Sequence, residues 1–208
     1  MSKLHKTESG IYYLYDYVPS KQLKKRENCF ETKLIWEYKN GDFRAFAYYT
    51  LELTRALVDI ANQVNSEEFS LVVVPPSKTY KKSTIQESVN WIGDSYKDGT
   101  IKTRFGCSKR FFDDSMLLTR VTDIPTAHLG NRASYSEQID SIYCSIKNLS
   151  NYRDTFVILD DVTTIGTSMD VCRDILINHG VKEQDIIRLA IARTVQKQRC
   201  TNLWNCYY

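Results

Sequence analysis

The sequence predicts an α/β protein with a mostly parallel central sheet flanked by helices, and three observations predict it. Short β-prone runs ("FSLVVVPP", "SMLLTRV", "FVILDD", "DIIRLAIAR") alternate along the chain with segments of helical apolar spacing. Several of those runs are apolar at successive residues, as strands covered on both faces are. Prolines, glycines and capping residues punctuate the boundaries between them. With 208 residues, 42% of them hydrophobic, the chain is long enough for one sizeable core. The expected division is a β- and turn-containing N-terminal extension over residues 1–40 and a main domain over 41–208.

The elements follow in order. In residues 11–40, "IYYLYDYVP" is aromatic and β-prone, and "LIWEYKNG" ends in an Asn-Gly turn signal, so strands and turns are expected. Asp42 is placed to cap a helix from about Phe43 to Val64, with Phe46, Leu53, Leu57, Ile60 and Val64 in phase. "FSLVVVPP" reads as a buried parallel strand stopped by two prolines. Ser83 and Gln86 have capping-box spacing ahead of Ile85, Val89, Ile92 and Tyr96 on one helix face. "KDGTIKTRFGCSKRFFDD" is polar, basic and glycine-bearing, which predicts a loop or a mobile hairpin. "SMLLTRV" predicts a strand. Ser134 and Glu137 repeat the capping box and open a helix whose face is Tyr135, Ile139, Ile142, Tyr143, Ile146 and Leu149. A strand over 156–160, a helix to His179 stopped by Gly180, and a last strand in "DIIRLAIAR" complete the pattern.

Charge and composition remove several classes. The formal net charge is +3 and no Lys/Arg run is long enough for a nucleic-acid arm, so nucleic-acid binding is unsupported, though not excluded. Six cysteines are scattered without a CxxC pair, which argues against a structural zinc and for small buried hydrophobes. No run approaches the roughly 18 apolar residues of a membrane span, and "MSKLHKTESGIYY" lacks a signal-peptide core. The expectation is a cytoplasmic protein with reduced thiols and no membrane contact.

The chemistry concentrates in "FVILDDVTTIGTSMD". In parallel α/β sheets ligands bind beyond the carboxyl ends of strands, near a point where the connections diverge. Asp160 and Asp161 lie at such an end, and "TTIGTS" follows with hydroxyls, a glycine and the free N–H groups of a starting helix. Carboxylates repel a bare phosphate but accept hydrogen bonds from sugar hydroxyls. Together the two halves fit a ribose 5-phosphate. A Walker B reading lacks any GxxxxGK[ST] partner, and a haloacid-dehalogenase site wants acids two apart, where Val162 stands. Local capping of backbone by the two acids stays open.

At these residues a resemblance enters. "VILDDVTTIGTS" resembles the phosphoribosyl-diphosphate (PRPP) motif of type I phosphoribosyltransferases, and the ComF-like, competence-associated branch in particular. "LIWEYKNGDFRAFAYYTLELTRAL", "LVVVPPSK" and "LLTRVTDIPTAHLGNRASYSEQI" resemble further segments of that branch, over about residues 34–195. The resemblance implies the type I phosphoribosyltransferase fold and a pyrophosphate-releasing transfer of phosphoribosyl to an acceptor. It implies that Asp160 and Asp161 are the catalytic acids, accepting from the ribose hydroxyls and touching Mg²⁺ only indirectly. It implies that Thr164, Gly166, Thr167 and Ser168 wrap the 5′-phosphate, and that Ser77 and Lys78 face the pyrophosphate. Arg104, in the basic segment, and Arg132 are the flap and hood candidates. A homodimer is compatible with this reading.

The chain departs from the family pattern at Ile165, where a Thr or Ser usually precedes the glycine, and at Thr164, where purine-salvage members carry an Asp. "SKTYKK" replaces an Arg-rich pyrophosphate loop, and the branch's paired N-terminal cysteines are missing. Two rivals follow: a non-catalytic sensor of PRPP or a nucleotide, and a nucleic-acid-associated competence-type factor.

Overall fold

The computed structural model describes residues 4–19, 30–125 and 133–195. The chain enters through β1 (His5–Lys6) and β2 (Tyr12–Tyr17), and continues through α1 (Phe30–Lys39), α2 (Phe43–Ala61) and β3 (Glu68–Val73). Next come α3 (Thr84–Lys97), α4 (Thr100–Phe105), β4 (Arg110–Asp113) and β5 (Leu118–Arg120). The last elements are α5 (Tyr135–Asp140), β6 (Ile142–Cys144), β7 (Thr155–Thr163), α6 (Thr167–Asn178) and β8 (Ile186–Thr194).

Six strands form the central sheet in the order β1-β2-β8-β7-β3-β4. All neighbours pair parallel except β1, which runs antiparallel to β2 at the edge. Strands β5 and β6 form a separate antiparallel pair. The predicted α/β class with a mostly parallel sheet is therefore the observed one.

The continuous apolar run of β7 has a plain cause. Successive side chains point to opposite faces of a sheet, and both faces are covered. Val157 and Leu159 pack with Ile35, Tyr38, Leu53 and Val89 of the layer made by α1, α2 and α3. Phe156 and Ile158 pack with Met169, Cys172 and Leu176 of α6. Cys107, Cys144 and Cys172 are free and buried, as small hydrophobes should be, while Cys29, Cys200 and Cys206 lie outside the described residues. Among the described residues no helix is long and apolar enough to cross a membrane.

Four expectations are corrected. "LIWEYKNG" is not a strand and turn but the end of α1. Its buried residues Thr32, Ile35 and Tyr38 recur at three-residue intervals, a helical spacing that outweighs the β-prone composition. The Asn-Gly pair ends that helix instead of turning a hairpin: Gly41 takes φ 78° and Asp42 then caps α2 by accepting from the N–H groups of Arg44 and Ala45 at 3.0 Å. Meanwhile β2 pairs with β8 inside the main sheet, so residues 1–40 supply part of the core.

"KDGTIKTRFGCSKRFFDD" is not a loop or mobile hairpin. It forms α4 and β4, because Ile101, Cys107 and Phe111 are buried and anchor it. Its glycines flank α4 in left-handed conformation, at φ 82° for Gly99 and 65° for Gly106. The helix opened by Ser134 is also shorter than its apolar spacing predicts. The Ser134–Glu137 capping box forms, but α5 ends at Asp140 and Ile142 begins β6. Ser83 does precede α3, yet its side chain makes no cap bond.

Three helices of one layer are joined by buried hydroxyls. Ser88 Oγ on α3 lies 2.9 Å from the Tyr38 hydroxyl of α1 and 2.8 Å from Thr50 Oγ1 of α2. Ser88→Ala would leave both partners without this bond in the interior. The expected cost is about 1–3 kcal/mol of unfolding free energy, read by urea denaturation. An unchanged midpoint would show that the hydroxyl contacts do not hold the layer.

Candidate ligand cavity at the strand switch point

The chain leaves β3 through α3 toward β4 on one side, and leaves β7 through α6 toward β8 on the other. The two helices cover opposite faces. Between the carboxyl ends of β3 and β7 the connections therefore part, which is where open parallel sheets bind ligands. A cavity of about 330 Å³ lies there, walled by residues 74–77 and 160–168 together with Lys39, Lys81, Lys82, Arg120 and Gln138.

Strand pairing shapes this crevice. The Val74 N–H donates to the Leu159 carbonyl at 2.9 Å, and Pro75 and Pro76 then have no N–H to continue the ladder. Strand β7 continues to Thr163 on the support of β8, where Asp160 pairs with Ala190 and Thr163 with Arg193. From Asp160 onward one edge of β7 is thus open to the cavity. The loop that turns away is held by Arg120, which donates to the Pro76 carbonyl at 3.0 Å, to the Pro75 carbonyl at 3.2 Å and to Ser141 Oγ.

Asp160 and Asp161 lie within β7, not beyond it, so their side chains diverge to the two faces. Asp160 Oδ1 accepts the Asp161 N–H at 2.8 Å, a donor on the edge that β3 has left. Asp161 Oδ1 is held by Lys39 Nζ at 2.9 Å. Burial is the main force on the Asp160 carboxyl, and the Asp161 charge adds to it. They hold its pKa well above the usual carboxylate range, against Lys39 and the backbone N–H groups of Asp161 and Val162. Burial works against the Lys39 ammonium, but the charges of Asp161 and Asp160 outweigh it and raise the pKa.

No protein-family model matches the chain, and no curated protein does.

The second half of the cavity is the start of α6. Gly166 is its N-cap at φ 91°, without a side-chain cap, so the first helical N–H groups are left for a ligand. Its φ of 91° favours glycine, and a Cβ there would also lie 2.3 Å from Ile11 Cδ1, so the end of that side chain would have to shift. Thr167 and Ser168 line the cavity, and Ser168 Oγ donates to Gln138 Oε1 at 3.1 Å. Thr164 Oγ1 lies 3.2 Å from Thr194 Oγ1, and Ile165 is 66% exposed at the cavity wall.

The sequence-predicted residues Asp160, Asp161, Thr164, Gly166, Thr167, Ser168 and Ser77 all meet at this cavity. Two others do not. Lys78 is turned to Asp123 at 3.3 Å and is absent from the wall, where Lys81 and Lys82 stand instead. Arg104 is exposed on α4, which leads into the first residue of β4, at the sheet edge opposite the cavity. Arg132 lies outside the described residues. Lys39 and Gln138 were missed. The Ile35–Tyr38 spacing, with Asn40-Gly41 as a stop, was the signal that could have placed Lys39 at a helix end.

Because the folded Asp160 carboxyl keeps a proton that the unfolded chain releases, its contribution to stability has a definite sign. It is fully present below the unfolded value near 3.8 and is lost as pH rises through the raised folded value. Asp160→Asn retains an acceptor for the Asp161 N–H and removes the titration. Its melting temperature is expected to exceed the wild type's at alkaline pH, with the gap closing in acid; each 1 kcal/mol is worth about 2–4 °C at this chain length. Parallel melting curves across pH would contradict the assignment.

Proposed function

We propose that the cavity binds a ribose 5-phosphate carrying pyrophosphate at C1, that is PRPP, and transfers its phosphoribosyl group to an acceptor. On this reading the sheet, with its antiparallel β5–β6 pair beside the site, is a type I phosphoribosyltransferase fold. One observation carries the reading: the open edge of β7 presents two carboxylates directly beside the uncapped start of α6. A sugar diol suits the first and a phosphate suits the second.

Four cationic side chains line the wall against two acids, of which Asp160 holds its proton, and this favours a ligand with more negative charge than one phosphate brings. Among the described residues no cluster of three or more His, Cys, Asp or Glu is arranged to hold a metal. The two acids fit Mg²⁺ through an ion carried by the ligand's own oxygens. Such an ion would neutralise the leaving pyrophosphate. Asp160 and Asp161 would orient the ribose, and the α6 N–H groups with Thr167 and Ser168 would fix the 5′ end. Pyrophosphate departure leaves positive character on the sugar ring, which the Asp161 carboxylate would stabilise once Lys39 turns from it to the pyrophosphate, while the protonated Asp160 would serve as a hydrogen-bond partner.

A second reading has its own support. Lys39 occupies Asp161, and Ile165 stands where a hydroxyl would add a phosphate contact. Both features suit a protein that binds the ligand and reports it without turnover.

Calorimetric titration with PRPP and Mg²⁺ tests the binding claim. The expected outcome is saturable binding to wild type and an affinity at least about tenfold lower for Asp160→Asn/Asp161→Asn. Equal binding by both proteins, or none by either, rejects the site. A pyrophosphate-release assay across nucleobases then separates enzyme from sensor: release with any base supports transfer, and binding without release supports the sensor.

A further inference from the structure

We propose that the Lys39–Asp161 ion pair is a selectivity latch, favouring sugar phosphates that carry a pyrophosphate at C1 over those that lack it. This rests on the ligand reading above and deepens it by naming what the cavity rejects.

Lys39 is the last residue of α1, whose preceding residue Tyr38 is fixed by its hydroxyl contact with Ser88. The ammonium is thus delivered from a rigid support to Asp161 Oδ1 at 2.9 Å, with the two side chains 29% and 26% exposed. Other cations around the crevice are placed differently. Arg120 is committed to the Pro75 and Pro76 carbonyls and to Ser141, and Lys78 to Asp123. Lys81 and Lys82 stand exposed on the loop after β3.

A diol arriving without a C1 anion must compete with an ammonium for Asp161. Success would replace a charge-assisted bond by one to a neutral hydroxyl and leave a half-buried ammonium without its carboxylate. A ligand with pyrophosphate brings its own negative charge to the same place. Lys39 can then turn from Asp161 to the pyrophosphate oxygens while Asp161 turns to the sugar. The loss of the ion pair is offset only for the second ligand, so the latch discriminates by charge at C1.

The experiment is calorimetry with PRPP and with ribose 5-phosphate, each with Mg²⁺, on wild type, Lys39→Gln and Lys39→Arg. Melting temperatures of all three confirm that they are folded. In Lys39→Gln the ratio of PRPP to ribose 5-phosphate affinity is expected to fall by about tenfold or more, with the ribose 5-phosphate affinity rising because no ammonium competes for Asp161; a ratio that falls through loss of PRPP affinity alone overturns the latch. Lys39→Arg keeps the charge and is expected to hold the wild-type ratio within about threefold. An unchanged ratio in Lys39→Gln overturns the latch and leaves the ligand reading standing, and so does equal loss for both ligands. Absence of any PRPP binding to wild type overturns both together.

Discussion

Two prolines set the geometry on which the rest of the site depends. Pro75 and Pro76 cannot donate to a strand ladder, so β3 parts from β7 at Val74 while β7 runs on to Thr163 beside β8. That mismatch leaves a polar strand edge facing a crevice, in a sheet otherwise covered on both faces. Asp160 accepts the first stranded N–H, and the buried Arg120 takes up the proline carbonyls that point the other way. The open strand edge of the cavity follows from where the ladder stops.

The adjacent acids then divide their work. Strand geometry sends them to different faces, where they meet different partners. Asp161 finds a lysine from α1, so its charge is balanced within the fold. Asp160 accepts from backbone N–H groups, and burial beside a second carboxylate outweighs these and the Lys39 charge and holds its proton. An account that treats the pair as one twin carboxylate misses this asymmetry. Capping does not take Asp160 out of the cavity: it accepts the Asp161 N–H while still lining the wall.

The parts legible in the sequence are those where one physical signal dominates. The β7–Gly166–α6 unit was readable because an apolar run, a glycine and a hydroxyl-rich helix start admit one arrangement. The strand at β3 was readable because its prolines end it. The N-terminal elements were harder, since "LIWEYKNG" carries β-prone residues and a turn pair at once, and only packing of Ile35 and Tyr38 against the sheet decides for helix. The same ambiguity hid Lys39, which reaches Asp161 across 122 positions of sequence. Local charge was a poor guide to site cations: the basic segment holding Arg104 is anchored by Ile101 and Phe111 far from the cavity, whereas Lys81 and Lys82 owe their place to the loop after β3.

The central claim is that the two halves of one cavity receive the two ends of a single sugar phosphate. A crystal structure of the protein soaked with PRPP and Mg²⁺ tests it most directly. The account predicts the ribose hydroxyls within hydrogen-bonding distance of the Asp160 and Asp161 carboxylates, and the 5′-phosphate on the N–H groups that follow Gly166. Ligand density elsewhere on the protein, or a phosphate at α6 with the sugar turned away from both acids, would contradict it.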